Sequence, residues 1–309
     1  MTSTTDLTTE SWVYVKLYLG RAIDRMDRLL IDLGTEPVLR ERARRWFFLR
    51  YVDERGIHVR LRAQARPDDR AGLSRALIDA CAQRLSELHG HPPGEYSPMV
   101  SMPGFEAGLD RITAAHHDVD VIEARYERET DKYGERPAMD IAERVFHESS
   151  QLAWTVLRDE EAGRLSRKDL VPILMHEACQ AFIAPQDQPE FWNEYSYYWL
   201  NGRSPAAEDW QQRFADKDAE LQQRGIPVVA ALEQLSPAAR GVVNEWSRCL
   251  RAAVEDYAGV GHPVEAKAEV LCFNFVHLMN NRLGQAALEE AYMAALLERR
   301  CRREKAEAL

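Results

Sequence analysis

The chain has 309 residues, enough for one large domain or two small ones, and its 45% hydrophobic and 29% charged content suits a globular protein with a sizeable core. Its 50 acids against 40 bases leave a net charge of −10, which argues against a nucleic-acid or anionic-membrane partner. No stretch reaches the roughly 18–20 apolar residues that a membrane span needs. The polar start, MTSTTDLTTE, lacks the basic and apolar regions of a signal peptide and reads as a disordered lead-in over 1–10, followed by a single domain over 11–309 in the cytoplasm.

Residues 11–19, SWVYVKLYL, predict a strand, being aromatic and β-branched with Lys16 the only charge. A helix follows over 20–33, with Ile23, Met26, Leu30 and Leu33 spaced for one buried face. The runs 46–52 (WFFLRYV) and 57–65 (IHVRLRAQA) predict two strands, and Asp53-Glu54-Arg55-Gly56 between them predicts a hairpin turn. An amphipathic helix over 69–89 leads to the Pro- and Gly-dense segment 91–104, which must be loop or short edge strand. Beyond it the patterns are helical: 105–116, 137–158, 166–183, 189–200, 206–224, 228–235, 237–257 and 264–300. The fold class is α+β, with an antiparallel sheet in the N-terminal third and a large helical remainder.

The five cysteines, Cys81, Cys179, Cys249, Cys272 and Cys301, form no CxxC pair and mostly sit in apolar helical patterns, so they read as reduced core thiols. No metal site and no cofactor motif is expected: GxGxxG, GxxxxGK[ST] and GxSxG are all missing, and His176-Glu177 lacks a zinc helix's second histidine.

Three segments carry polar groups in patterns that chemistry uses. In 57–65, alternation points Ile57, Val59, Leu61 and Ala63 one way and His58, Arg60, Arg62 and Gln64 the other. Such a row is ordinarily a solvated sheet face, but two arginines at i and i+2 can fork onto a carboxylate or an amide oxygen. The run Tyr126-Glu127-Arg128-Glu129-Thr130-Asp131-Lys132-Tyr133-Gly134 is dense in charge yet framed by tyrosines. Finally, Asn274, His277 and Asn281 share one face of an apolar helix, with Arg282 close by, and burying such groups is costly unless they line a site. The aromatic run with Trp192, Tyr195 and Trp199 is at helical spacing, suited to a core or to a peptide-binding wall.

WFFLRYVDERGIHVRLR (46–62), YERETDKYGE (126–135) with AERVFHESSQLA (142–153), and HLMNNRLG (277–284) resemble, in order and spacing, the C-terminal elimination domain of class I lanthipeptide dehydratases, which also occurs as a free-standing thiopeptide-type bacteriocin biosynthesis protein. The resemblance implies an elimination-domain-like α+β fold and two stand-alone activities. One is a pyridine synthase, which joins two dehydroalanines in a formal [4+2] aza-cycloaddition and expels water and the leader peptide. The other is a split eliminase, which removes glutamate from glutamyl-Ser or glutamyl-Thr. A non-catalytic precursor-peptide-binding partner is a third alternative. No cofactor is implied; the implied partners are the precursor peptide, leader plus dehydrated core, and the glutamyl-transfer dehydratase subunit.

Carried over by position, the eliminase pattern calls for an arginine in the HxRLR strand, met by Arg60 or Arg62, and for a glutamate and a histidine, met by Glu129 and His277. It also calls for a second arginine and a second glycine where Lys132 and Glu135 stand, and lysine lacks the planar fork that grips a carboxylate. That departure favours the pyridine synthase. The resulting assignment has His277 as acid and base, Arg60 and Arg62 holding an oxyanion or amide oxygen, Glu129 and Lys132 as an orienting pair, and Tyr133 as a supporting donor. His58, Asn281, Arg282, Trp192, Tyr195 and Trp199 are the expected substrate contacts.

Overall fold

The computed structural model describes residues 11–20, 22–89, 119–261 and 264–307. The expected lead-in (1–10), the Pro/Gly loop (91–104) and the helix over 105–116 lie outside the described residues. The chain divides into two compact units, Met1–Arg158 and Asp159–Leu309.

In the first unit, strand β1 (Trp12–Leu19) is followed by a 3-10 turn and helix α1 (Met26–Leu33). Strands β2 (Arg45–Asp53) and β3 (Gly56–Gln64) form the expected hairpin, turning at Glu54-Arg55, and helix α2 covers Arg70–His89. A strand that the sequence pattern did not reveal, β4 (Val119–Ala124), then pairs with β1. A third of its VDVIEA sequence is charged and all six side chains are exposed or half-buried, so the apolar alternation that marks a strand is weak. The sheet is antiparallel in the order β2-β3-β1-β4, which makes β3 an interior strand. Val13, Val15, Leu17, Val59, Leu61 and Ala63 are wholly buried, and α2 packs across β1 and β4 with Leu73, Leu77, Cys81 and Leu85 as its buried stripe.

A short helix α3 (Thr130–Tyr133) precedes the long helix α4 (Ala138–Glu161). Two side chains of α4 meet the backbone of β2: the Trp46 amide lies 3.1 Å from His147 Nδ1, and the Phe48 amide donates to Ser150 Oγ at 3.2 Å. The Ser150 bond occupies an amide of the edge strand that would otherwise be open to pairing.

The second unit contains α5 (Arg167–Phe182), α6 (Gln188–Trp199), α7 (Pro205–Gln223), α8 (Pro237–Gly259), α9 (Val264–Leu283) and α10 (Ala287–Glu307). Ser204 and Ser236 cap α7 and α8, each accepting an amide proton three residues on with proline at the first helical position. The helix expected over 228–235 is only a 3-10 turn, Leu232–Gln234. The segment is largely exposed, is boxed by Pro227 and Pro237, and is too short to hold a helix without packing. The helix expected over 264–300 is broken in two by Gly284, whose φ of +81° is the left-handed conformation that ends helices at low cost in glycine. Gly284 and Gln285 amides return to the carbonyls of Asn281 and Asn280, closing the end of α9. After this break, α10 packs along α6. All five cysteines are buried, and none is disulfide-bonded among the described residues. Among the described residues no helix is long and apolar enough to cross a membrane.

Candidate functional site

Register builds the first cluster. Across β1 and β3, Tyr14 faces Arg62, Lys16 faces Arg60 and Tyr18 faces His58; across β2, Phe47 faces Arg62 and Tyr51 faces His58. One sheet face therefore carries four basic side chains among four aromatic rings. This is not a solvated row, because β3 is flanked on both sides: His58 is fully buried and Arg62 is 8% exposed.

Arg62 sits in an aromatic cage, its guanidinium carbon 4.4 Å from the Tyr14 ring centre, 5.1 Å from Tyr126 and 5.3 Å from Phe47. Ring faces attract a cation without neutralising it. Burial pushes this guanidinium below its ordinary pKa, and its Nε has no hydrogen-bond partner among the described residues. Arg60 lies 3.2 Å over the Tyr51 ring, with its Nε 3.5 Å from His58 Nε2. Among the described residues no carboxylate forms an ion pair with either arginine.

The nearby acids are committed elsewhere. Asp53 accepts from Lys16 Nζ at 2.9 Å, from the Tyr18 hydroxyl at 2.9 Å and from the Arg55 amide at 3.0 Å. Burial opposes its charge, but these bonds outweigh it and bring the Asp53 pKa down to about 2. The same bond raises Lys16. Glu143, 1% exposed, takes two bonds from Arg128, at 2.8 and 2.7 Å, while Arg128 also reaches Asp140 at 3.0 Å. Burial raises Glu143, and the bonds from Arg128 and from the Tyr126 hydroxyl work against that rise. Arg128, Glu143 and Tyr126 thus form a chain of contacts that ends on a wall of the Arg62 cage.

Other expected site residues of this unit fall differently. His58 cannot touch a substrate from its enclosed position; its Nδ1 lies 3.1 Å from the Gly56 carbonyl, and burial lowers its pKa. Glu129 and Lys132 do pair, at 2.5 Å, but both are about half exposed, at 56% and 50%. Tyr133 is buried and packs edge-on against Phe146 at 4.9 Å.

The second cluster lies wholly within the second unit. His277 on α9 is 30% exposed and its Nδ1 is 2.9 Å from Glu290 Oε1 on α10. Glu290, 2% exposed, also accepts from Asn280 Nδ2 at 3.2 Å and from the Tyr195 hydroxyl of α6. Trp199 lies over the imidazole, with ring centres 4.6 Å apart, and Phe273 and the exposed Tyr198 continue that aromatic surface. The expected peptide wall divides by exposure. Trp192 and Tyr195 are enclosed in the core at 0% and 1%, too deep for substrate contact, whereas Trp199 is half-buried beside His277. Arg282 is likewise interior at 1%, and Asn281 is half-buried.

Glu290 escaped sequence reasoning because LEEAY reads as a solvated helix face. The available signal was Gly284, since a break there folds α10 back and brings a glutamate of its first turn to the histidine of α9. Tyr14, Tyr126 and Glu143 were missed because a cage is a property of register across strands and not of spacing along one.

The chain matches, over residues 12–301, the family model for the C-terminal region of lantibiotic biosynthesis dehydratases. No curated protein sequence matches it. Among solved structures it resembles a pyridine synthase from thiomuracin biosynthesis, TbtD, with a TM-score of 0.65 and 16% identity over 97% of this chain and 100% of that one. It also resembles the tRNA-dependent lantibiotic dehydratase MibB from Microbispora sp. 107891, with a TM-score of 0.61 and 18% identity over all of this chain but 29% of that one. A third likeness is to TsrL, with a TM-score of 0.57 and 16% identity over 96% of this chain and 95% of that one. At these identities the likenesses establish the fold.

Proposed function

The chain belongs to the lantibiotic dehydratase C-terminal family, and from that premise we propose that it is a ribosomal-peptide maturation enzyme of the pyridine synthase type. It would join two dehydroalanines of a precursor peptide in a formal [4+2] aza-cycloaddition, then release water and the leader to leave a pyridine-centred macrocycle. The observation that carries this reading is the state of Lys132. An eliminase needs a free planar fork for the departing glutamate, whereas here the cation at that position is a lysine already paired with Glu129. The fold shared with a solved pyridine synthase along 97% of this chain supports the same reading.

The reaction moves a proton while negative charge grows on a carbonyl oxygen. In the first unit, Arg60 and Arg62 carry positive charge with no carboxylate partner among the described residues, so neither must break an ion pair before stabilising that oxygen. In the second unit, the partly exposed imidazole of His277 takes up and returns the proton. Two dehydroalanines must also be held together, a matter of positioning for which the surface of Trp199, Tyr198 and Phe273 offers stacking. The partners are a leader-bearing, dehydrated precursor peptide and the glutamyl-transfer subunit that prepares it.

The split eliminase is the second reading, and the same pair of arginines favours it, because a released glutamate carboxylate would suit them. Mass spectrometry on purified protein separates the two. One substrate is a leader-bearing peptide with two dehydroalanines, and the other is a matched peptide carrying a glutamyl-serine ester. Release of the leader as a carboxamide with loss of water is the expected result. Loss of glutamate from the second peptide with the first untouched would replace the proposal by elimination.

A further inference from the structure

Glu290 is a buried acid that receives hydrogen bonds from a phenol and a carboxamide and shares one with an imidazole, and no lysine or arginine contacts it among the described residues. A carboxylate enclosed at 2% exposure without a permanent cation is costly unless its donors are well placed. Tyr195 and Asn280 both serve Oε2, which leaves Oε1 to His277 alone. The Nδ1–Oε1 separation of 2.9 Å is a full hydrogen bond, and an ionised carboxylate only accepts, so Nδ1 carries the proton. Nε2 is then the unprotonated nitrogen. Trp199 packs against the ring at an interplanar angle of 36°, and Tyr195, which bonds Glu290, is enclosed in the core.

We propose that Glu290 is the positioning residue of His277: it holds the imidazole in the Nδ1–H tautomer, presents Nε2 as the proton acceptor and stabilises the imidazolium that forms when Nε2 takes a proton. The inference rests on the reading of His277 as the acid and base. The step balances simply. Substrate gives one proton to Nε2, the pair Glu290–His277 changes from anion and neutral ring to anion and cation, and return of that proton to the product restores it. The titratable groups that face the imidazole are Glu290 from α10 and, beyond the carboxylate, Tyr195 from α6, with Cys272 of α9 beside the phenol. Tyr195 is pushed well above its ordinary pKa by burial and by Glu290, so it stays a donor throughout the working range. Free imidazole favours the other tautomer, so the arrangement has a spectroscopic signature of its own.

The test is nitrogen-15 NMR of the histidine rings in the full-length protein, with His277 assigned by its disappearance in His277→Ala. In the wild type the expected resonances are a protonated Nδ1 and an unprotonated Nε2. Glu290→Gln should shift the population toward Nε2–H. Glu290→Asp, which keeps the charge, should restore part of the Nδ1–H population. In turnover, Glu290→Gln should lower kcat by up to the roughly 10²–10⁴-fold that a general acid–base group contributes, with KM within about threefold, and move the acidic limb of the pH profile to lower pH. A wild-type His277 that carries its proton on Nε2 overturns the proposal without any variant. An unchanged tautomer in Glu290→Gln also overturns it. The two failures stay distinct: a correct NMR signature with His277→Ala still active would sink the role given to His277 and leave the Glu290 contact standing.

Discussion

The two clusters store charge in opposite senses. On the sheet of the first unit, two arginines sit among aromatic rings while the nearby acids, Asp53 and Glu143, are taken by Lys16 and Arg128. In the helices of the second unit, a buried acid is answered by a phenol, a carboxamide and a histidine. The sheet face holds a fixed positive field, because arginine keeps its proton even when burial lowers its pKa. The helical cluster holds a negative charge beside a group that can gain and lose one, which is the arrangement for moving a proton. The first suits a charge that develops on substrate, and the second suits a proton in transit.

The sharpest way to break this contrast is to convert a committed acid of the first unit into an uncommitted one. Arg128→Ala leaves the Glu143 carboxylate buried with the Tyr126 hydroxyl as its remaining donor among the described residues, which should cost about 3–5 kcal/mol of stability. Chemical denaturation with fluorescence measures it, and the double variant Arg128→Ala with Glu143→Gln should recover much of the loss. Recovery identifies the orphaned charge as the cause; no recovery would mean that Arg128 acts through packing instead.

His277→Ala comes next and should reduce turnover by roughly 10²–10⁴-fold, and because it leaves buried Glu290 Oε1 without its partner it should also lower the melting temperature. A loss of only a few-fold would remove His277 from the chemistry. Arg60→Ala should reduce kcat by roughly 10²-fold, as removal of an oxyanion donor does elsewhere, whereas Arg60→Lys should retain part of the rate because the charge survives and the fork does not. An equal loss in both variants would point to stacking on Tyr51 as the property that matters.

How far these clusters were legible in the sequence depends on what kind of regularity made them. β1, the hairpin and most helices follow from alternation and from three- and four-residue spacing, and the structure places them within a few residues of expectation. The cation row on 57–65 was visible for the same reason. Its burial was not, because whether β3 has a neighbour on both sides is decided by β1, some 40 residues away in the chain. The same holds for Trp192 and Tyr195, whose spacing fits a wall or a core equally well until α10 is seen to cover α6. Asn280 rather than Asn281 meets Glu290, since the choice depends on the direction in which α10 returns after Gly284.

A pH titration of stability sharpens the comparison at moderate cost. The Asp53 carboxylate has a folded pKa of about 2 against an ordinary 3.8, so its stabilisation is fully present above 3.8 and is lost as pH falls toward 2. It is partly exposed, so the loss should be no more than about 2 kcal/mol, and Asp53→Asn should flatten that part of the curve. His58 and His147 are both held below the ordinary histidine value by burial. A depressed folded pKa means that their contribution is present above about 6.5 and is lost as pH falls below it, because the unfolded chain takes up protons that the folded one refuses. Thermal melts from pH 8 to pH 3 should therefore decline in two steps, the upper from the histidines and the lower including Asp53. A flat curve between pH 7 and pH 5 would contradict the enclosed, neutral state of both rings.

The smallest effect belongs to the residue that decides between the two activities. Lys132 and Glu129 form an exposed pair within one turn, worth no more than about 1 kcal/mol, so Lys132→Ala should barely shift the melting temperature. Lys132→Arg is the more informative change. It restores the planar fork that the eliminase pattern calls for, and it can still pair with Glu129 across one helical turn. If the position decides the reaction only by offering a fork, Lys132→Arg should begin to release glutamate from a glutamyl-serine peptide. If Glu129 holds the new fork as it holds the lysine, Lys132→Arg should release no glutamate. We expect the second outcome, because the acid lies within reach at 2.5 Å and a guanidinium binds a carboxylate more tightly than an ammonium does. Elimination in the single variant would show that the contact with Glu129 does not restrain the cation. Elimination by the unaltered protein would remove Lys132 from the argument and leave Arg60 and Arg62 as the groups that receive the glutamate.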